Sequence, residues 1–129
     1  MVTDKRDQYV HNQRIQHVQR YIRQHIDEPL DRNVLANVAG FSIPHFHRVF
    51  TACTGESAAS YVRRLHMERA GRKLRMGAVD IMEIALAAGY ASHAAFSKAF
   101  KKQFGISPSV FRSLNCAEAT QLLRKGKAQ

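Results

Sequence analysis

An all-α fold built from two helix-turn-helix units is predicted by three observations. First, the apolar residues recur with a helical period, and no stretch alternates as a half-buried strand would. Second, a helix, a Gly-aromatic turn and a second helix are written twice. Leu35-Ala36-Asn37-Val38-Ala39-Gly40-Phe41 recurs 49 positions later as Ile84-Ala85-Leu86-Ala87-Ala88-Gly89-Tyr90. Ser42, Phe46, Arg48, Phe50, Gly55, Ser57 and Tyr61 recur 50 positions later as Ser92, Phe96, Lys98, Phe100, Gly105, Ser107 and Phe111, so the second turn holds one extra residue. Third, the 129 residues carry 20 Lys and Arg against 10 Asp and Glu, a formal charge of +10. An excess of this size in so small a chain points to nucleic acid or an anionic membrane surface.

In chain order, Met1–Val10 reads as a polar tail. Ile15, Val18, Ile22 and Ile26 then form one stripe of a first helix, which stops before Asp27-Glu28-Pro29. Asp31 is placed to cap a second helix, which runs to Ala39 and ends at Gly40. Ser42 caps a third, with Pro44 in the first turn, where a missing N–H costs nothing. Phe46, Val49, Phe50 and Cys53 take the inward phase of this helix, and His47, Arg48 and Thr51 the outward phase.

Gly55 ends the third helix and Ser57 caps a long fourth, from about Ala58 to Met76. Tyr61, Val62, Leu65 and Leu74 form its apolar side. Arg63, Arg64, Arg69, Arg72, Lys73 and Arg75 lie opposite, balanced only by Glu68. Such a helix spans roughly 28 Å, comparable with the ~34 Å between successive faces of the major groove. Gly71 within it marks a bend or a close helix contact. Asp80 caps the next helix to Ala88, Gly89 ends it, and Ser92 caps His93 to Phe104. Ser107-Pro108 opens a last short helix to Leu114. Residues 116–129 read as a basic C-terminal tail that can open on a short helix from Cys116, with Arg124-Lys125-Gly126-Lys127 solvated.

Composition excludes several classes. No apolar run approaches the roughly 20 residues of a membrane span, and the N-terminus lacks a secretory signal. Two cysteines without a Cys-x-x-Cys pair suggest a reduced, cytoplasmic setting, with Cys53 a small core hydrophobe. No phosphate loop, nucleophile motif or carboxylate dyad marks an enzyme. The histidines lack ligand spacing, so no metal or other cofactor is expected.

Base reading needs side chains projecting near the N-terminus of an outward helix face. These are Pro44, His47, Arg48 and Thr51 in the first unit, and His93, Ala94, Ser97 and Lys98 in the second. Arg48 is the strongest candidate, because Arg can hold guanine O6 and N7 together. Ser42, Ser92, Arg63, Lys101, Lys102 and Arg112 are phosphate candidates. The second unit has the thinner polar inventory and should discriminate sequence less sharply. The phenylalanine stripe reads as core rather than as a base-stacking platform.

The pattern Ile81-x-x-Ile84-Ala85-x-x-x-Gly89-Tyr90-x-Ser92-x-x-x-Phe96-x-Lys98-x-Phe100-Lys101-x-x-Phe104-Gly105-x-Ser107-Pro108-x-x-x-Arg112 closely resembles the signature of AraC/XylS-type transcription regulators. The similarity extends back through Pro29-Leu30 and covers about residues 13–114. It implies a seven-helix bipartite helix-turn-helix domain over 11–115, with units at 11–56 and 78–115 joined by a linker helix at 57–76. It further implies a stand-alone protein of the MarA/SoxS type, a monomer on promoter DNA that recruits RNA polymerase, usually as an activator. The family commonly has Arg where this chain has Lys98, and MarA-like members have Trp where it has Pro44, so the DNA sequence read should differ. Two alternatives stay open: the DNA-binding module of a longer ligand-sensing regulator, and a basic helical adaptor that binds acidic proteins.

With about six phosphate contacts, DNA affinity is expected to fall by ~10³ or more between about 50 and 200 mM salt. Fluorescence anisotropy across that range checks this; a nearly flat response would exclude phosphate-dominated binding.

Overall fold

The computed structural model describes residues 5–77 and 80–127. Among them are eight helices: α1 (Lys5–Gln24), α2 (Arg32–Ala39), α3 (Ile43–Thr54), α4 (Ala58–Arg75), α5 (Ile81–Ala87), α6 (His93–Phe104), α7 (Pro108–Arg112) and α8 (Cys116–Lys127). They fall into two units divided within α4, between Arg63 and Arg64. The described residues contain no strand.

The first unit buries the stripes anticipated from helical spacing. Ile15, Val18 and Ile22 come from α1; Leu35, Ala36 and Ala39 from α2; Phe46, Val49 and Phe50 from α3; and Ala58 and Tyr61 from the start of α4. The second unit is built on Met67, Ala70 and Leu74 of α4, Ile84 and Ala85 of α5, Phe96, Phe100 and Phe104 of α6, and Phe111 of α7. The repeat is preserved in the packing itself. Phe46 and Phe50 lie 5.7 Å apart by ring centroids, and Phe96 and Phe100 lie 5.8 Å apart. Phe50 meets Tyr61 edge-on at 5.6 Å, as Phe100 meets Phe111 at 5.3 Å. Burying each such ring stabilises its unit by roughly 1.5–3 kcal/mol.

The turns repeat as well. Gly40 (φ 76°) and Gly89 (φ 93°) adopt the left-handed conformation that glycine tolerates best. The next residue closes each turn in the same way: Phe41 N–H donates to Ala36 O and Tyr90 N–H to Ala85 O, both at 3.0 Å. The extra residue of the second copy is therefore Ala91, placed after the turn has closed. Asp31, Ser42, Asp80, Ser92 and Ser107 all accept from helix N-terminal amides, as their positions predicted.

The structure departs from the sequence expectation at some points and decides between its alternatives at others. Helix α1 begins at Lys5, so residues 5–10 of the presumed tail are helical. All six are exposed, so no buried apolar stripe reveals them, and only Lys5, Arg6 and Gln8 favour a helix by propensity. From Cys116 the chain is helical as far as Lys127, so the helix runs on through the stretch expected to be a solvated tail. A reciprocal capping box starts α8: Glu118 N–H donates to Asn115 Oδ1 at 2.8 Å, and Asn115 N–H to Glu118 Oε1 at 3.4 Å. Ala119 of α8 is buried, and Leu122 and Leu123 pack beside it on the second core. Gly71 is a close-contact glycine, because a Cβ there would lie 3.0 Å from Leu123 Cδ2 and 3.4 Å from Phe111.

Arg64 does not belong to a solvated basic face. It is 6% exposed, as is Glu68, and the pair meets at 3.2 Å one helical turn apart. Cys53 is exposed rather than core, donating to Asn12 Oδ1 of α1 at 3.1 Å. The apolar stripe of α3 ends with Phe50, and the next inward position faces a polar residue. Partial screening of the sulfur against α1 pushes the Cys53 thiol above its ordinary pKa, which disfavours the reactive thiolate.

Removing one member of a buried ion pair strands the other charge. Glu68→Ala is expected to cost about 3 kcal/mol or more in urea unfolding. A loss below about 1 kcal/mol would mean that water reaches Arg64 readily.

Candidate nucleic-acid interface

Each candidate interface is the outer face of a helix whose inner face is locked by aromatic packing. On α3, Phe46, Val49 and Phe50 are buried, and the same helical phase leaves Ser42, Pro44, His47, Arg48 and Thr51 exposed together. Ser42 Oγ accepts from His45 N–H at 3.4 Å. Thr51 Oγ1 donates to His47 O at 2.9 Å, leaving its methyl and oxygen lone pairs outward. The turn ahead of α3 is held from α1. Arg14 donates to Gly40 O at 3.2 Å and lies over the Phe41 ring at 5.0 Å, while His11 and His45 pack around that ring.

Ile43, the first residue of α3, is an exposed apolar side chain beside Pro44 that sequence reasoning passed over. The available signal was a bulky aliphatic between the N-cap and the first buried position, outside the inward phase.

On α6, Phe96, Phe100 and Phe104 are buried. Ser92, His93, Ala94, Lys98, Lys101 and Lys102 are exposed, and Ser97 is half-buried. Ser92 Oγ accepts from Ala95 N–H at 3.1 Å. The two helix N-termini differ in backbone donors. At the second position α3 has Pro44, without an N–H, whereas α6 has Ala94, which keeps one. The second unit thus offers more amide donors to an anion, and the first offers the richer side chains.

Arg63 is exposed on α4. Arg112, half-buried on α7, has a structural task. Its Nε donates to Leu74 O at 3.0 Å, satisfying the end of α4. Arg75 reciprocates, its Nη1 donating to Phe111 O at 3.3 Å, to Arg112 O at 3.0 Å, and to Leu114 O. Two arginines at the ends of α4 and α7 therefore cap each other's helices. Among the described residues no three His, Cys, Asp or Glu side chains converge as a metal site. None of the described helices is long and apolar enough to cross a membrane.

Two capped helices, each anchored by phenylalanines behind and presenting polar and basic groups in front, define a double helix-turn-helix DNA-binding domain. A family described as helix-turn-helix domain matches residues 35–114. The regulatory protein SoxS of Salmonella typhimurium is 34% identical over 102 residues, covering 79% of this chain and 95% of that protein. The right origin-binding protein of Escherichia coli K12 is 35% identical over 92 residues, 71% of this chain but 32% of that protein, so the chain spans about a third of that relative's length. Among solved structures, the DNA-binding domain of AdpA in complex with a target DNA superposes with a TM-score of 0.69 at 27% identity, covering 83% of this chain and 96% of that one. The chain belongs to the AraC-type family of helix-turn-helix DNA-binding domains.

The reciprocal arginine caps separate a folding role from a DNA role. Arg112→Ala is expected to lower stability by about 1–2 kcal/mol. The salt slope of DNA binding should stay within about 0.3 of the parent value, since losing a phosphate contact lowers it by roughly 0.9. A full-unit drop without destabilisation would return Arg112 to the phosphate set.

Proposed function

We propose that this chain is a sequence-specific transcription regulator, acting as an activator, that inserts α3 and α6 into successive major grooves of one asymmetric promoter site. The reading rests above all on the repeated pairing of a buried aromatic face with an exposed polar face on two capped helices. The net charge of +10 supports double-stranded DNA as the partner. The AdpA domain, solved with its target DNA, supports the same partner.

In this reading Arg48 holds a guanine edge, and His47 and Thr51 contact neighbouring bases. Pro44, joined by Ile43, meets thymine methyls. On α6, Lys98 and His93 supply hydrogen bonds, Ala94 an apolar contact, and half-buried Ser97 a marginal one. Ser42, Ser92, Arg63, Lys101 and Lys102 hold phosphates, with the free amides of α6 adding to the anchor. One chain carries both reading heads, so it binds as a monomer, engages RNA polymerase and works in the cytoplasm on the nucleoid. A second reading is favoured by one observation. The chain matches a third of the right origin-binding protein's length; on the second reading it is the DNA-binding module of a longer, ligand-sensing regulator.

Footprinting on genomic fragments, followed by base-by-base substitution, tests the proposal. An asymmetric site of about two helical turns bound by one chain is expected. Arg48→Ala should weaken specific binding by about 10- to 100-fold and relax the preference at one G·C pair, with a smaller effect for Lys98→Ala. A palindrome occupied by two chains would overturn the monomer reading, and equal affinity for all sequences would overturn base reading.

A further inference from the structure

Helix α8 lies outside residues 35–114 matched by the family, yet it contributes to the second core. Between α4 and α8 runs an open groove of about 480 Å³. Its apolar floor is made by Ala119 and Leu123. Arg72 and Arg75 rim it from α4, and Arg124 from α8. The single acid in its lining, Glu68, is already turned to Arg64. Arg75 has its Nη1 committed to the end of α7, with Nη2 3.9 Å from Cys116 Sγ. Arg72 and Arg124 are exposed. Two exposed arginines, one on α4 and one on α8, therefore line a groove that also has an aliphatic surface.

We propose that this groove binds a medium-sized hydrophobic carboxylate, and that occupancy steadies α6. The volume lies within the ~300–1,000 Å³ usual for small-molecule sites. The charge selects an anion, and guanidinium forks match a carboxylate with paired hydrogen bonds. The Ala119–Leu123 floor favours an apolar body over bare phosphate, which would leave that surface wet. Coupling to DNA follows from packing: α8 touches α6, and its Leu123 lies close against Gly71 of α4. A ligand bridging Arg72 and Arg124 holds α8 onto the core that supports α6. Ligand that binds only this docked form raises its population by mass action. The regulatory half of the proposal rests on the DNA-binding reading above; the binding half does not.

The test uses octanoate as probe, with octanol and octylamine as neutral and cationic controls, followed by amide NMR shifts on the full chain. Saturable shifts confined to α4, α8 and the adjoining face of α6 are expected. Both controls, and octanoate with the Arg72→Ala/Arg124→Ala variant, should bind about tenfold more weakly. Both substituted positions are exposed, so the variant's Tm should match the parent, keeping loss of binding distinct from loss of fold. Octanoate should also tighten DNA binding by the parent and not by the variant.

No shifts up to about 10 mM, equal binding of octylamine, or an undiminished response of the variant would overturn the site. Saturation of the groove without change in DNA affinity would overturn the coupling. Weaker DNA binding by the variant with no probe present would assign the two arginines to DNA phosphates and overturn the proposal. Loss of sequence preference in the parent without probe would instead refute the DNA reading and leave the groove result standing.

Discussion

The orientation of each outer face depends on one kind of contact, an aromatic edge driven into an aromatic face behind it. Phe50 against Tyr61, and Phe100 against Phe111, fix how far α3 and α6 are rotated about their own axes. Protein interiors are packed nearly as tightly as organic crystals, so a ring in such a site has little freedom to turn. Because side chains 100° apart on a helix point in different directions, fixing the phenylalanines also fixes Arg48 and Lys98. Each unit holds only some sixty residues, and cores this small have few spare contacts with which to absorb a misfit. The chemistry in front is thus set by the hydrocarbon behind.

Much of this was legible in the sequence because it follows local rules. Ser, Asp and Gly at helix ends act within four residues, and the apolar period reports which phase turns inward. The outward set on α3 and α6 came from the same period. What escaped was decided by contacts distant in the chain. Arg64 looks solvated on a helical wheel, yet the folded chain encloses it with Glu68. Arg112 sits where a phosphate contact is expected, but the carbonyl of Leu74, 38 residues away, claims its Nε. Cys53 has the right phase for burial but lies past the end of the aromatic core. Helix α8 did carry a local signal, Asn115-x-x-Glu118 ahead of Ala119, Leu122 and Leu123, but the basic run after it concealed how far the helix extends.

The two units present unequal chemistry on their outer faces. Pro44 removes an amide where α6 keeps one, and Arg48 supplies a fork where α6 has a single ammonium at Lys98. Backbone amides grip phosphates whatever the base sequence, whereas a fork distinguishes guanine from its competitors. The asymmetry was visible as residue types. The structure adds that Ile43 joins the first face and that Ser97 is half withdrawn from the second.

The near-identity of the two turns, Phe41 to Ala36 and Tyr90 to Ala85, carries an evolutionary consequence. Once a turn and its ring pair are in place, substitutions on the outer face leave folding almost untouched. In the proposed reading, each half of the DNA site can then drift without a compensating change in the other. A lineage inheriting this scaffold can acquire new target genes one half-site at a time, passing through intermediates that still fold and still hold DNA.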